Sequence, residues 1–178
     1  MGIPTLISTA TASNAATVSI TSGIDSTYDE YMFVFTDINP VSSEQNFTFQ
    51  VNAAGASGYN ETMTTTIFRS RHAENDSSTG LEYVTARDQA QGTAYQTLAQ
   101  GVGSGADQSI AGILHLFSPA STTYVKHFYA TTTEVHQDNA VHAWYMAGYI
   151  NITTAVDDIQ FKMDSGNFDG VIQMYGIA

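Results

Sequence analysis

The sequence predicts an all-β protein: one antiparallel β-sandwich, jelly-roll-like, of about ten strands, with a short N-terminal arm. Three observations predict it. Apolar and polar residues alternate with period two along much of the chain, as in strands with one face buried. The alternating runs are rich in β-branched and aromatic residues, which fit a pleated surface. Turn-forming clusters separate them at short intervals, the spacing of sandwiches and barrels.

Residues 1–15 read as the arm. Apolar anchors at Ile3, Leu6 and Ile7 precede Ser8–Ala16, a run of small side chains without periodicity. An arm that docks on a neighbour reads this way, as does a frayed terminus; on the first reading Ile3, Leu6 and Ile7 are the expected assembly contacts. Residues 16–178 form the sandwich domain, a length suited to one core. Its strands begin with Thr17–Thr21 and continue with Tyr31–Phe35, where unbroken apolarity predicts cover on both faces. Phe47–Val51 places Phe47, Phe49 and Val51 on one side and Thr48 and Gln50 on the other. Met63–Phe68, Leu81–Thr85, Gly112–Phe117, Tyr124–Thr131, Ala143–Ile152, Ile159–Met163 and Val171–Tyr175 complete the set. The segment Met163–Val171, with Gly166 and Asp169-Gly170, predicts a hairpin. Between Ala86 and Ser109 no strand is evident. Asp88–Gln91 and Ala94–Gln100 suggest a helical turn, which Gly92, Gly101, Gly103 and Gly105 interrupt, and a loop of this length is expected to be functional or pinned by a partner.

Composition narrows the function. Charged residues are 12% of the chain, 17 acidic against 5 basic, for a net charge of -12; soluble domains average about 25%. Thr and Ser, 23 and 16 of 178 residues, take their place. Five scattered cations cannot form a nucleic-acid track, and the acidic balance disfavours anionic membranes. The absence of cysteine excludes disulfides, thiolate metal sites and thiol nucleophiles. No signal peptide or apolar run long enough for a membrane helix is present, so the reading is a soluble protein that folds without oxidation.

The chemistry-bearing residues give weak signals. Strand alternation would align Glu134, His136 and Asp138, with His127 and His142 nearby, a set that can hold a divalent cation. Against this, Gln137-Asp138-Asn139 is turn chemistry and no His-x-x-x-His pair is present. Asp164–Gly170 has the wrong oxygen spacing for a calcium loop. Gly101-Val102-Gly103-Ser104-Gly105 lacks the helix and lysine of a phosphate cradle. Asp157 and Asp158 are adjacent and diverge on a strand. Sequons at Asn46, Asn60, Asn75 and Asn151 arise readily in so Thr- and Ser-rich a chain. Tyr59, Tyr95, Trp144 and Tyr145 are candidates to stack on sugars, although aromatics in β domains mostly fill the core. The expectation is a protein with no catalytic residue, no metal and no cofactor.

Several ordered segments resemble a family of small virion structural proteins of tailed phages, of the type found in phages of marine bacteria and cyanobacteria. They are Ser22–Tyr31, Phe33–Pro40, Gly58–Thr62 with Thr64–Thr66, and Asp88–Thr93. His115–Pro119, Lys126–Phe128, Gln160–Met163, Ser165–Gly170 and Tyr175–Ile177 follow. The resemblance spans most of the chain and rests on the ordered set. It implies a non-enzymatic particle component made in the host cytoplasm and carried on the virion surface. No coiled-coil or β-helix repeat of a fibre shaft is present, which favours a capsid decoration or cement protein. By analogy it is a homotrimer, touching itself and other virion proteins through the arm and the 86–109 loop. The competing readings are a tail-fibre or receptor-binding tip domain for host surface glycans, and a sugar-active enzyme using Glu134 or Asp138 with His136. The shortage of charge favours faces that bury against neighbours, with the acidic excess turned outward.

Overall fold

The computed structural model describes residues 2–178, and these form twelve antiparallel strands and no helix. In chain order they are β1 (Thr5–Ala15), β2 (Val18–Ile20), β3 (Glu30–Pro40), β4 (Gln45–Ala53), β5 (Met63–Ala73) and β6 (Thr79–Tyr83). The second half contains β7 (Gln96–Val102), β8 (Ile110–Phe117), β9 (Lys126–His136), β10 (Ala140–Ile150), β11 (Val156–Met163) and β12 (Phe168–Ile177). Eight pair in the order β1-β12-β3-β8-β9-β10-β5-β6, and four in the order β7-β4-β11-β2. One bridge, Val102 to His136, joins the layers. The result is a sandwich of unequal layers that nearly closes into a barrel.

The layers meet through the residues whose alternation predicts it. Phe33 and Phe35 of β3, Phe47 and Phe49 of β4, Phe128 of β9, Phe161 of β11 and Phe168 of β12 are all buried. Their rings meet mainly edge to face, with Phe49 and Phe128 at 5.1 Å and Phe35 and Phe161 at 5.3 Å. Such pairs add about 0.5–1.5 kcal/mol each beyond area burial.

Several expectations need correction. Residues 5–15 are no free arm: they form β1, which pairs with β12 from Thr5 opposite Gly176 to Ala15 opposite Phe168. Small uncharged side chains suit an edge strand as well as a mobile segment, and only the partner, about 160 residues away, distinguishes them. Ile7 packs against the core, whereas Ile3 and Leu6 stay 89% and 51% exposed. Ala94–Gln100 lies mainly in β7, with Gly101 near its end and Gly103 and Gly105 beyond it, and Asp88–Gln91 is irregular, so neither segment is a helical turn. The 86–95 stretch is pinned by its own chain. Gln50, fully buried on the side of β4 away from the core, donates to the carbonyls of Glu61, Thr93 and Ala94. That cover buries Thr48, Gln50 and Asn52 of β4.

The Met163–Val171 turn is not a hairpin either. Its strands β11 and β12 belong to different layers, so the positive φ of Gly166 and Gly170 serves a crossing between sheets. The tight hairpin of the molecule is β9–β10, closed by Gln137-Asp138-Asn139 with His136 opposite Ala140. In β3 only Tyr31, Phe33 and Phe35 are buried within the apolar run; Met32 and Val34 are half-covered on the outer side.

Candidate functional site

Glu134 and His136, two residues apart on β9, point inward, and His142 of β10 lies directly opposite Glu134. Asp138 does not join them. The strand ends at His136, and Asp138 sits exposed in the turn, one carboxylate oxygen 3.4 Å from His136 Nδ1. His127 projects outward near the other end of β9, beside the Tyr149 ring. Among the described residues, no group of three His, Asp or Glu side chains is placed to hold a metal ion.

The pair that does form is sealed from solvent. Glu134 and His142 are 2% and 1% exposed, with Oε1 and Nδ1 3.1 Å apart. The His136 ring lies 4.5 Å from that of His142, Trp144 meets His142 edge to face, and Arg69 lies over Trp144 at 5.2 Å. Burial pushes Glu134 up to about 8, outweighing the Trp144 indole, His136 and Arg69. Burial, reinforced by Arg69 and Arg71, pushes His142 down to about 4. Burial and the neighbouring His142 also lower His136. At neutral pH Glu134 and His142 therefore meet as neutral groups sharing a hydrogen bond, and the short contact is not an ion pair. A sealed, neutral pair offers no path to a substrate, so its chemistry here is structural. It stands where β7 meets β9, and Gly101 (φ +74°) packs so closely on the His136 ring that any Cβ would enter it.

The accessible candidate is the outward face of the larger sheet. Every outward position on β5, β6, β8, β9 and β10 is Thr, Ser, Ala, Val, Ile, Leu, Phe, Tyr or His; no Asp, Glu, Lys or Arg occurs there. β3 adds Glu30 at the margin, its carboxylate 2.5 Å from His115 Nδ1. The carboxylates sit instead in turns and strand ends such as Glu44, Glu74, Asp76, Asp107 and Asp164. Aromatic rings rise from the face in stacks. Tyr129 lies 4.5 Å from His115 and 5.7 Å from Phe117, and Phe68 lies 5.1 Å from Tyr145, with planes 12–27° apart along both groups. Because stacked rings on adjacent strands turn their faces to one another, they stand like fins with edges outward. Between the fins runs a trough of about 590 Å³ whose walls and floor include Tyr129, Thr131, Thr133 and Tyr145.

The other sequence candidates lie apart from this face. Trp144 is core, and Tyr95 bonds Gln160 beneath the Lys162 ammonium, so of the proposed sugar-stacking aromatics Tyr145 alone stands on the open face. Asn46 is buried against Asp164. Lys126, unremarkable in sequence, is fully buried, its Nζ donating to the carbonyls of Ser121, Tyr124, Ile152 and Thr153. No composition signal distinguishes such a lysine from a solvated one. The face itself has a sequence signal: the residues between the apolar positions of β9 and β10 are uncharged. No family model, no curated protein and no solved structure matches this chain.

Proposed function

We propose that the chain is a non-enzymatic structural component of a tailed-phage particle: a capsid decoration or cement protein seated on the virion surface. The observation that carries the reading is the outward face of β5, β6, β8, β9 and β10, on which no Asp, Glu, Lys or Arg stands. Interface cores are depleted of charge, and a face without ions can be buried against a shell without stranding one. Finned rings and troughs offer relief for interlocking, while carboxylates in the turns keep the assembled surface hydrated. The resemblance to phage virion proteins supplies the setting. An image of the intact particle tests it. The expected result is density for this chain at on the order of hundreds of symmetric copies, with the β5–β10 face against the shell. Density confined to the tail would refute it.

The Tyr- and Thr-lined trough favours one second reading, a receptor-binding tip for host glycans. Sugar stacking uses exposed ring faces, and the stacked fins turn most of theirs inward, which weights the first reading. Binding of the purified chain to host glycans, lost on Tyr145→Ala, would reverse that weighting.

A further inference from the structure

Among the described residues, β1, β2 and β6 each pair on one side only, leaving three open strand edges. An open edge is a row of unpaired N–H and C=O groups, which proteins blunt by shortness, charge, proline or bulges. β2 is three residues long. β6 is five residues long and carries Glu82 in an ion pair with Arg69. β1 is different: eleven residues without Asp, Glu, Lys, Arg or Pro. Its bulges lie at Leu6/Ser8 and Ala12/Ala15, leaving Ser8–Ala12 in regular register between them. Among the described residues, no backbone hydrogen bond joins this run to any segment other than β12.

We propose that β1 is a pairing edge and that its occupant is β1 of a second copy, the two strands running antiparallel about a two-fold axis. Charge selects the occupant. A chain of net charge -12 repels its own copy wherever carboxylates face each other, but residues 1–24 carry no charged side chain, and the Asp169 carboxylate meets β1 only at Asn14, outside the Ser8–Ala12 run. A two-fold contact uses the same patch twice and must therefore tolerate itself; a neutral strand does so, and backbone hydrogen bonds supply the attraction. Antiparallel pairing also sets outward positions beside outward positions. Thr9 and Thr11 would thus extend the uncharged face from one copy into the next. This inference does not rest on the virion reading, since it concerns the chain's contact with itself. It also differs from the homotrimer implied by the resemblance, because an antiparallel strand pair closes at two copies.

Light scattering coupled to size exclusion, over a range of concentrations of the full chain, tests it alongside Thr9→Lys and Thr11→Lys. Both threonines are exposed, and circular dichroism and melting check that each variant stays folded. The expected result is a concentration-dependent dimer, slowed amide exchange within Ser8–Ala12, and at least about tenfold weaker association in each lysine variant. A monomer at every concentration, a trimer, or a dimer that both lysine variants leave intact would overturn the proposal. Failure of the dimer with density still seated on the shell would sink this inference alone; an intact dimer with tail-only density would sink the decoration reading alone.

Discussion

Replacing Glu134 by Gln should change how stability depends on pH more than it changes stability at any one pH. The folded protein holds Glu134 at about 8 and the unfolded chain near 4.5. Neutral Glu134 is thus favoured by the fold, and its contribution is complete below pH 4.5 and lost as pH rises toward 8. His142 runs the other way. Its folded value of about 4 lies under 6.5, so its contribution is complete above pH 6.5 and lost as pH falls toward 4. At about 1.36 kcal/mol per pKa unit, raising the pH from about 5 to 7 costs about 2–3 kcal/mol through Glu134. The same step returns about 2 kcal/mol through His142. The opposed slopes nearly cancel, and the wild-type contribution from this pair should be almost flat. Glu134→Gln removes one slope, so urea unfolding should show stability rising by about 2 kcal/mol across that interval. His142→Gln removes the other, and stability should fall by about 2–3 kcal/mol. If both variants track the wild-type profile, the fold holds neither group away from its ordinary value and the argument from burial is wrong.

Three further outcomes follow from the geometry. Lys126→Met strips the common donor from four carbonyls, and urea unfolding should register a loss of about 2–4 kcal/mol; an unchanged midpoint would show those carbonyls hydrated without it. Gly101→Ala places a Cβ at positive φ against the His136 ring, for a loss of at least about 1–2 kcal/mol, read by thermal melting. Tyr145→Lys puts a charge on the open face at an exposed site, so melting should stay within about 0.5 kcal/mol of wild type. On the decoration proposal, sedimentation with phage particles lacking this protein should show capture of the variant abolished, and undiminished capture would place the docking surface elsewhere.

The all-β layering was legible because Phe47, Phe49 and Val51 announce their own spacing, and ten of the strands carry comparable runs. β1 and β7 escaped for different reasons. β1 is too poor in apolar residues to show a period, and its order comes from β12 at the far end of the sequence. β7 is buried among polar loops that its own chain folds over β4, so Gln96 and Thr97 sit inside while looking like surface. The site divides the same way. Glu134 and His136 were recognisable as a pair, but the third member is His142, supplied by hairpin register that residue spacing alone does not give. Asp138 was drawn in by continuing the alternation one step past the end of the strand. The shortage of charge pointed to a contact surface, and only the assembled sheet shows that it collects on one side.

The pairing of β1 with β12 also sets an order of events in folding. β1 leaves the ribosome about 160 residues ahead of β12, its one strand partner among the described residues, and β2 likewise precedes its partner β11 by more than 130 residues. Loop closure on that scale is slow, which places the chain among the β topologies that fold in about milliseconds to seconds. Until β12 arrives, an uncharged strand with both edges bare is exposed to its neighbours, the condition under which chains mispair. High expression should therefore be limited by premature association of nascent chains, and the lysine substitutions in β1 that separate folded copies should also raise the yield of folded protein.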